Sequence, residues 1–240
     1  MKNYLLHTRK YLTALSMLLI VGALLIACKK DDDNGTPVPV SGLMAFNLVP
    51  DQEAVGFALS GSTLTNAPLA YTNYTGRYLN VYAGNYTVQA YGRDSTLASE
   101  DYNFSPDQYY SLFVAGKEGV YRNIIVHDNI DSLSSTSGMA YVRYINAIPD
   151  SSAPAVNISA GSEEIANEAA PFGHVSEFAE VGSGDITIAV NNESDIAANR
   201  TISVEGGKVY TILLIGVPGS TDPDREVQIK YIENGTLTPE

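Results

Sequence analysis

The chain carries three histidines, one cysteine, no tryptophan and sixteen tyrosines, and the placement of these few groups limits its chemistry. His127 and His174 stand far apart, and neither has a second histidine or a cysteine two to five residues on. A zinc site would need such a cluster. A serine nucleophile needs a base, an orienting acid and a sharp turn to display it, and no Gly-x-Ser-x-Gly turn occurs. No phosphate-cradling or dinucleotide-binding glycine fingerprint is present either. Glu163-Glu164 pairs two carboxylates, the groups used in glycosidic cleavage, but it reads as a loop between strands, where adjacent acids are solvated. Asp128, Asn129 and Asp131, and again Asp222, Asp224 and Glu226, are rich enough in oxygen to suggest calcium. Neither group has the twelve-residue loop spacing, and both read as acidic turns. The sequence therefore assigns no catalytic residue, no metal ligands and no cofactor.

The one cysteine is informative. Lys2, Arg9 and Lys10 precede an apolar run, Leu12 to Ile26. That run is shorter than the ~20 residues of a membrane span and has the length of a signal-peptide core. Leu25-Ile26-Ala27-Cys28 resembles the bacterial lipobox. The resemblance implies cleavage before Cys28, a diacylglycerol on its sulfur and acylation of its new amino group. Each buried methylene contributes about 0.8 kcal/mol, so several chains on one residue make a durable membrane anchor. An ordinary secretory signal or an N-terminal membrane helix is the alternative. Lys29 to Asp33, a lysine-then-acid run, resembles the surface-export signal of lipoproteins from Bacteroidota-type bacteria; the periplasmic face of the outer membrane is the other location. Residues 28–41 read as a lipidated flexible tether.

Net charge is −13 and becomes −16 once residues 1–27, with three basic and no acidic side chains, are removed. No basic stripe is available for nucleic acid, whose binding depends on neutralising phosphates. The mature chain has no second thiol for Cys28 to pair with, so core burial alone must hold it together.

The elements that would position any site repeat once along the chain. "YSLFVAG" at Tyr110–Gly116 precedes "YTILLIG" at Tyr210–Gly216 by one hundred positions. The same offset relates Gly61 to Gly161, Tyr78 to Phe178, and "GNYTV" from Gly84 to "GDITI" from Gly184. It is 99 where "NLVPD" (Asn47–Asp51) meets "NAIPD" (Asn146–Asp150), and 103 where Arg122 meets Arg225. Short runs rich in Val, Ile, Tyr and Thr alternate with Gly, Pro, Asn and Asp, so each copy reads as about seven strands. The expected fold is all-β: two tandem immunoglobulin-like β-sandwich domains over 42–131 and 139–235, a polar flexible linker at 132–138 and a tail at 236–240. A small barrel is the alternative.

"YVRYINAIPDSSAPAVNISAG", "FGHVSEFAEVGSGDITIAV" and "GGKVYTILLIG" in the second copy together resemble the domain-of-unknown-function family 4397. The first copy is more divergent but keeps Pro50-Asp51 and Gly84. The resemblance implies secreted or lipid-anchored β-sandwich modules and brings no catalytic residue with it.

Ten of the tyrosines lie in the first copy and four in the second. Reading Arg77–Tyr91 as a hairpin that turns near Ala83-Gly84, strand alternation puts Leu79, Val81, Tyr86, Val88 and Ala90 on one face. Tyr78, Asn80, Tyr82, Asn85, Thr87, Gln89 and Tyr91 then share the other. The second copy gives the same division, with Ala179, Val181, Ile186, Ile188 and Val190 inward. The outer face of the first copy, Tyr78, Asn80, Tyr82, Thr87, Gln89 and Tyr91, is the candidate surface for a glycan or protein ligand. Cross-strand packing of aromatic rings is the competing explanation. Ser95 and Ser132 follow aspartates in a pattern resembling Bacteroidota-type O-glycosylation sequons. The expected role is a non-catalytic envelope lipoprotein for binding, adhesion or structure, with membrane contact through Cys28. An accessory subunit of a secreted glycan- or protein-degrading system, or a hydrolase, is the alternative.

Overall fold

β-branched and aromatic runs pack well on a pleated surface, and here they become strands nearly wherever the sequence places them. The computed structural model describes residues 38–149 and 152–237. The first copy contains β1 (Val40–Leu48), β2 (Ala54–Leu59), β3 (Ser62–Thr63), β4 (Leu69–Ala70), β5 (Leu79–Tyr82), β6 (Gly84–Tyr91), β7 (Thr96–Phe104), β8 (Tyr109–Lys117) and β9 (Val120–His127). A 3₁₀ turn at Ile130–Ser132 leads on to the second copy. Its strands are β10 (Met139–Asn146), β11 (Ala155–Ala160), β12 (Glu163–Ala169), β13 (Ala179–Gly182), β14 (Gly184–Asn191), β15 (Ala197–Val204), β16 (Lys208–Ile215) and β17 (Gln228–Thr236). Among the described residues no helix is long and apolar enough to cross a membrane.

Each copy is a two-sheet sandwich. The inner sheets run β5-β1-β8-β9 and β13-β10-β16-β17; the outer sheets run β3-β2-β6-β7, with β4 also on β2, and β12-β11-β14-β15. The strand order is the same in both copies. β1 pairs in parallel with β8, and β10 with β16. A parallel pair cannot be joined by a hairpin, so in each copy the outer sheet is laid down between the two partners. The cores are separate: Leu43, Val55, Phe57, Val88, Phe104 and Leu112 anchor one, and Val142, Tyr144, Ile158, Ile188, Ile212 and Leu214 the other. Val88 and Ile188 are both fully buried.

The repeated motifs mark the same structural jobs twice. Asn47 donates to Leu69 O at 2.9 Å and accepts from Val49 N at 3.0 Å. Asn146 donates to Ala170 O at 2.8 Å and accepts from Ile148 N at 3.0 Å. Both amides are fully buried and satisfy backbone groups that would otherwise be stranded at the strand end. Tyr110 and Tyr210 each accept through their hydroxyl from a backbone N–H five residues upstream, Ser105 and Glu205, at 3.1 Å. Gly116 and Gly216 have φ of 126° and 115°, and a Cβ there would lie 2.1 Å and 2.2 Å from the carbonyl oxygens of Val120 and Glu226. Only glycine fits both conditions.

Three expectations change. Arg77–Tyr91 is not a hairpin: β5 pairs with β1 and β6 with β2 and β7, so the chain arches from one sheet to the other at Ala83-Gly84. Alternation still sends Val81, Val88 and Ala90 into the core, because parity is the same for a hairpin and for an arch across a sandwich. Glu163-Glu164 lies on β12, where Glu164 accepts from Asn167 Nδ2 at 2.9 Å, rather than in a loop. The joint at 132–138 is not a loose spacer. Tyr141 donates to Ser134 O, and Ser183 N donates to Gly138 O, at 3.1 Å and 2.8 Å.

Candidate functional site between the repeats

Most strands of a sandwich alternate apolar and polar residues. β1, β8, β10 and β16 do not, and are buried on both faces. Their second apolar face explains how the copies meet. Met44, Phe46, Leu48, Phe113 and Ala115 of the first copy pack directly on Ile145, Ala147, Leu213, Ile215 and Ile232 of the second. The two inner sheets lie face to face, so the order is outer, inner, inner, outer, and from Pro39 onward the chain is one compact unit.

Within that apolar seam sits a polar cluster from six strand and strand-end positions: Tyr78, Ser111, Asp128, Arg143, Thr211 and Asn234. Arg143 is 3% exposed and Asp128 1%, so neither charge has bulk water. Arg143 Nη1 donates to Asp128 Oδ1 at 2.7 Å. Its Nη2 donates to Ser111 Oγ at 2.8 Å, and Ser111 donates on to Asp128 Oδ2 at 2.8 Å. Its Nε donates to Thr211 Oγ1 at 3.0 Å; Thr211 donates to Asn234 Oδ1 at 2.6 Å, Asn234 Nδ2 to the Tyr78 hydroxyl at 3.3 Å, and Tyr78 to Asp128 Oδ2 at 2.5 Å. Every path leaves the cation and ends on the carboxylate, so each hydrogen bond polarises the next. Burial, and then the charge and hydrogen bond of Asp128, push the Tyr78 hydroxyl well above its usual range, which keeps it a donor. The Arg143 guanidinium also lies 4.4 Å from the Phe178 ring centroid and 5.8 Å from that of Phe113. Removing one partner of such a buried pair costs about 3–5 kcal/mol.

Above the cluster, between the copies, opens a cleft of about 790 Å³. Tyr78 and Tyr109 line it from the first copy, residues 130–135 of the joint from one side, and Asn234–Leu237 from the second copy. The two rings meet edge to face at 5.0 Å. Gly42 makes room for them, since a Cβ there would lie 2.5 Å from Tyr109 and 3.2 Å from Tyr78. Tyr109 is 38% exposed and Tyr82, on the same face of the inner sheet, 62%. Among the described residues lining the cleft, Asp131 is the one that carries a charge.

The arch divides the surface expected from sequence. Tyr78, Asn80 and Tyr82 belong to the inner sheet, where Tyr78 is covered by the second copy and Tyr82 is open. Thr87, Gln89 and Tyr91 belong to the outer sheet of the same sandwich, on its opposite side. Thr87 there donates to Asp101 Oδ1 at 2.7 Å, and Tyr91 folds over Gly56, where a Cβ would lie 2.3 Å from the ring. The six residues are therefore not one face. Ser95 and Ser132 are exposed, and Ser132 Oγ donates to Asn129 O at 2.6 Å. Cys28 lies outside the described residues. Asp128, read from sequence as part of an acidic turn, is instead committed to Arg143.

The second copy carries a titratable group with no counterpart in the first. Tyr144 donates to Glu168 Oε1 at 2.6 Å, and His174 Nε2 lies 3.7 Å from the same oxygen. Burial and the Glu168 hydrogen bond raise the Tyr144 hydroxyl above its usual range. The group flanks a smaller cleft of about 300 Å³.

The family model for the domain of unknown function DUF4397 matches residues 41–153 and again 140–237. The chain belongs to this family. The two DUF4397 matches fall on the two sandwiches, and the first runs on through β10, the strand that begins the second copy. No curated protein is similar to the chain. Arg143 is the buried charge that sequence reasoning passed over, and Asp128, read there as part of an acidic turn, is its partner. The usable signal was a lone arginine inside an unbroken apolar strand, which requires a buried partner.

Proposed function

We propose that this DUF4397 protein is a lipid-anchored, non-catalytic binding module of the cell envelope, and that the cleft between its two copies takes a neutral, hydroxyl-rich ligand such as a glycan. The cleft carries the reading. It is an aromatic and hydroxyl-lined hollow at a junction of domains, where ligand sites concentrate. Tyr109 supplies a flat apolar surface with a polar edge. Ser132, Ser134, Ser135 and Thr236 supply short hydrogen-bonding groups along its lining. With Asp131 as the charged lining residue and a strongly acidic chain around it, the site disfavours anionic ligands. The sequence Leu25–Cys28 supports the anchor, and the acidic run after it supports display at the cell surface.

Tyr109→Ser tests the binding reading. The chain with this substitution is expected to keep its fold and lose retention on a neutral-glycan array by at least tenfold. Retention equal to the parent, or a parent that binds nothing on glycan and peptide arrays, would overturn it. Cys28→Ser tests the anchor and is expected to move the protein from the membrane to the soluble fraction. Protease shaving of intact cells separates surface display, in which the protein is digested, from the periplasmic face, where it is spared.

A further inference from the structure

We infer that the seam is a two-fold dimer interface enclosed in one chain, and that the Asp128–Arg143 pair makes its halves unlike partners, so that first copies associate with second copies and not with each other. The registers supply the equivalences. β1 pairs with β8, and β10 with β16, in matching registers. Ser111 therefore corresponds to Thr211, Phe113 to Leu213 and Ala115 to Ile215. Isolated bridges equate Phe46 and Tyr74 with Ile145 and Val175. His127 faces Tyr110 as Glu233 faces Tyr210, so the residues that follow, Asp128 and Asn234, are equivalent. Met44, facing Ser111, corresponds to Arg143, facing Thr211.

Contacts across the seam are reciprocal in these equivalences, the mark of an isologous interface. Ile124 of β9 packs at Gly173 of the second copy; its equivalent, Lys230 of β17, donates to Thr72, the equivalent of Gly173, at 3.1 Å. Arg122 lies over Phe172 at 5.2 Å; the registers equate Arg122 with Gln228, not with Arg225 as the sequence offset suggests, so this cation belongs to one half alone. Ser111 and Thr211 both accept from the one guanidinium, as hydroxyls beside a two-fold axis can.

The symmetry breaks at Met44 against Arg143 and Asn234 against Asp128. Two first copies meeting by this surface would bury Asp128 opposite Met44, a carboxylate without its cation. Two second copies would bury Arg143 opposite Asn234. Both pairings strand a charge in an apolar seam, and only first-with-second pairing satisfies each. Neighbouring chains are thus kept from linking first copy to first copy and second copy to second copy.

Moving the pair tests this directly. Asp128→Asn or Arg143→Met alone is expected to lower the thermal midpoint of the full chain by roughly 6–20 °C. Adding Met44→Arg and Asn234→Asp to the chain that carries both changes rebuilds the pair at the symmetry-related place, between Ser111, Thr211 and the Tyr78 ring. The fourfold variant is expected to regain at least half of that loss. A fourfold variant that melts below the chain with Asp128→Asn and Arg143→Met together would show that the faces are not equivalent. Pairing is read by unfolding Asp128→Asn and Arg143→Met chains together and refolding them. They are expected to yield a 1:1 complex of twice the chain mass, because exchanged halves satisfy both charges. Two separate monomers would overturn the pairing rule.

Discussion

The two halves agree where the sandwich needs agreement and differ where they touch. Asn47 and Asn146, Tyr110 and Tyr210, and Gly116 and Gly216 do identical work in the two copies. Along the seam the pairs are unlike: Met44 and Arg143, Tyr78 and Phe178, Asp128 and Asn234. At one row large and small are exchanged. Gly42 lies beside Tyr109 in the first copy, and Tyr141 beside Val209 in the second. The first arrangement leaves two tyrosines bordering a cleft; in the second, Tyr141 donates to the joint and to Glu180. Duplication supplied two equal surfaces, and divergence at a few positions turned them into complementary ones.

Substitutions can separate the shared features from the unlike ones. The largest effect is expected at the seam. Arg143→Met, which gives the second copy the residue of the first, should cost about 3–5 kcal/mol in chemical denaturation, whereas Met44→Leu should cost about 1 kcal/mol or less. Next come the shared amides. Asn47→Leu and Asn146→Leu should each cost about 2–3 kcal/mol, because two buried backbone groups lose their partners, and the two values should agree within experimental scatter. Unequal losses would mean that the motif serves only one half.

A smaller effect, visible through pH, is expected at Tyr71. Its hydroxyl is buried without a hydrogen-bond partner, and burial pushes it up to about 12, with Arg225 partly offsetting the rise. A raised folded-state value favours the protonated form. The contribution is complete below about 10 and is lost as pH rises toward 12, while the unfolded chain ionises first. Tyr71→Phe should therefore match the parent at pH 7 and lose less stability between pH 10 and 12. Its counterpart Phe172 has nothing to titrate, so Phe172→Leu should leave the alkaline limb unchanged. The smallest effect belongs to exposed Tyr82, where Tyr82→Ser should shift stability by no more than about 0.5 kcal/mol.

These differences also explain what could be read in the sequence. The repeat, the strand positions and the inward set Val81, Val88 and Ala90 were legible, because apolar periodicity is written residue by residue. The route of the chain at Ala83-Gly84 was not. A hairpin and an arch send the same side chains inward, so parity could not divide Tyr78 and Tyr82 from Thr87, Gln89 and Tyr91. β12 escaped notice because Glu163, Glu164, Asn167 and Glu168 make it polar, as an outer edge strand can be. The seam left a trace in "LMAFNLV" and "YTILLIG", runs with no polar alternation, which belong to strands covered on both sides. Asp128 was misread because an acid next to Asn129 looks like a turn until the distant Arg143 is placed against it.

The central claim is that both DUF4397 copies are held in one body by a buried, charge-matched seam. Differential scanning calorimetry of the chain from Pro39 onward tests it most directly. One transition is expected, with calorimetric and van't Hoff enthalpies equal for the full two-copy unit. Two resolved transitions, each of single-sandwich size and unmoved by Arg143→Met, would contradict it.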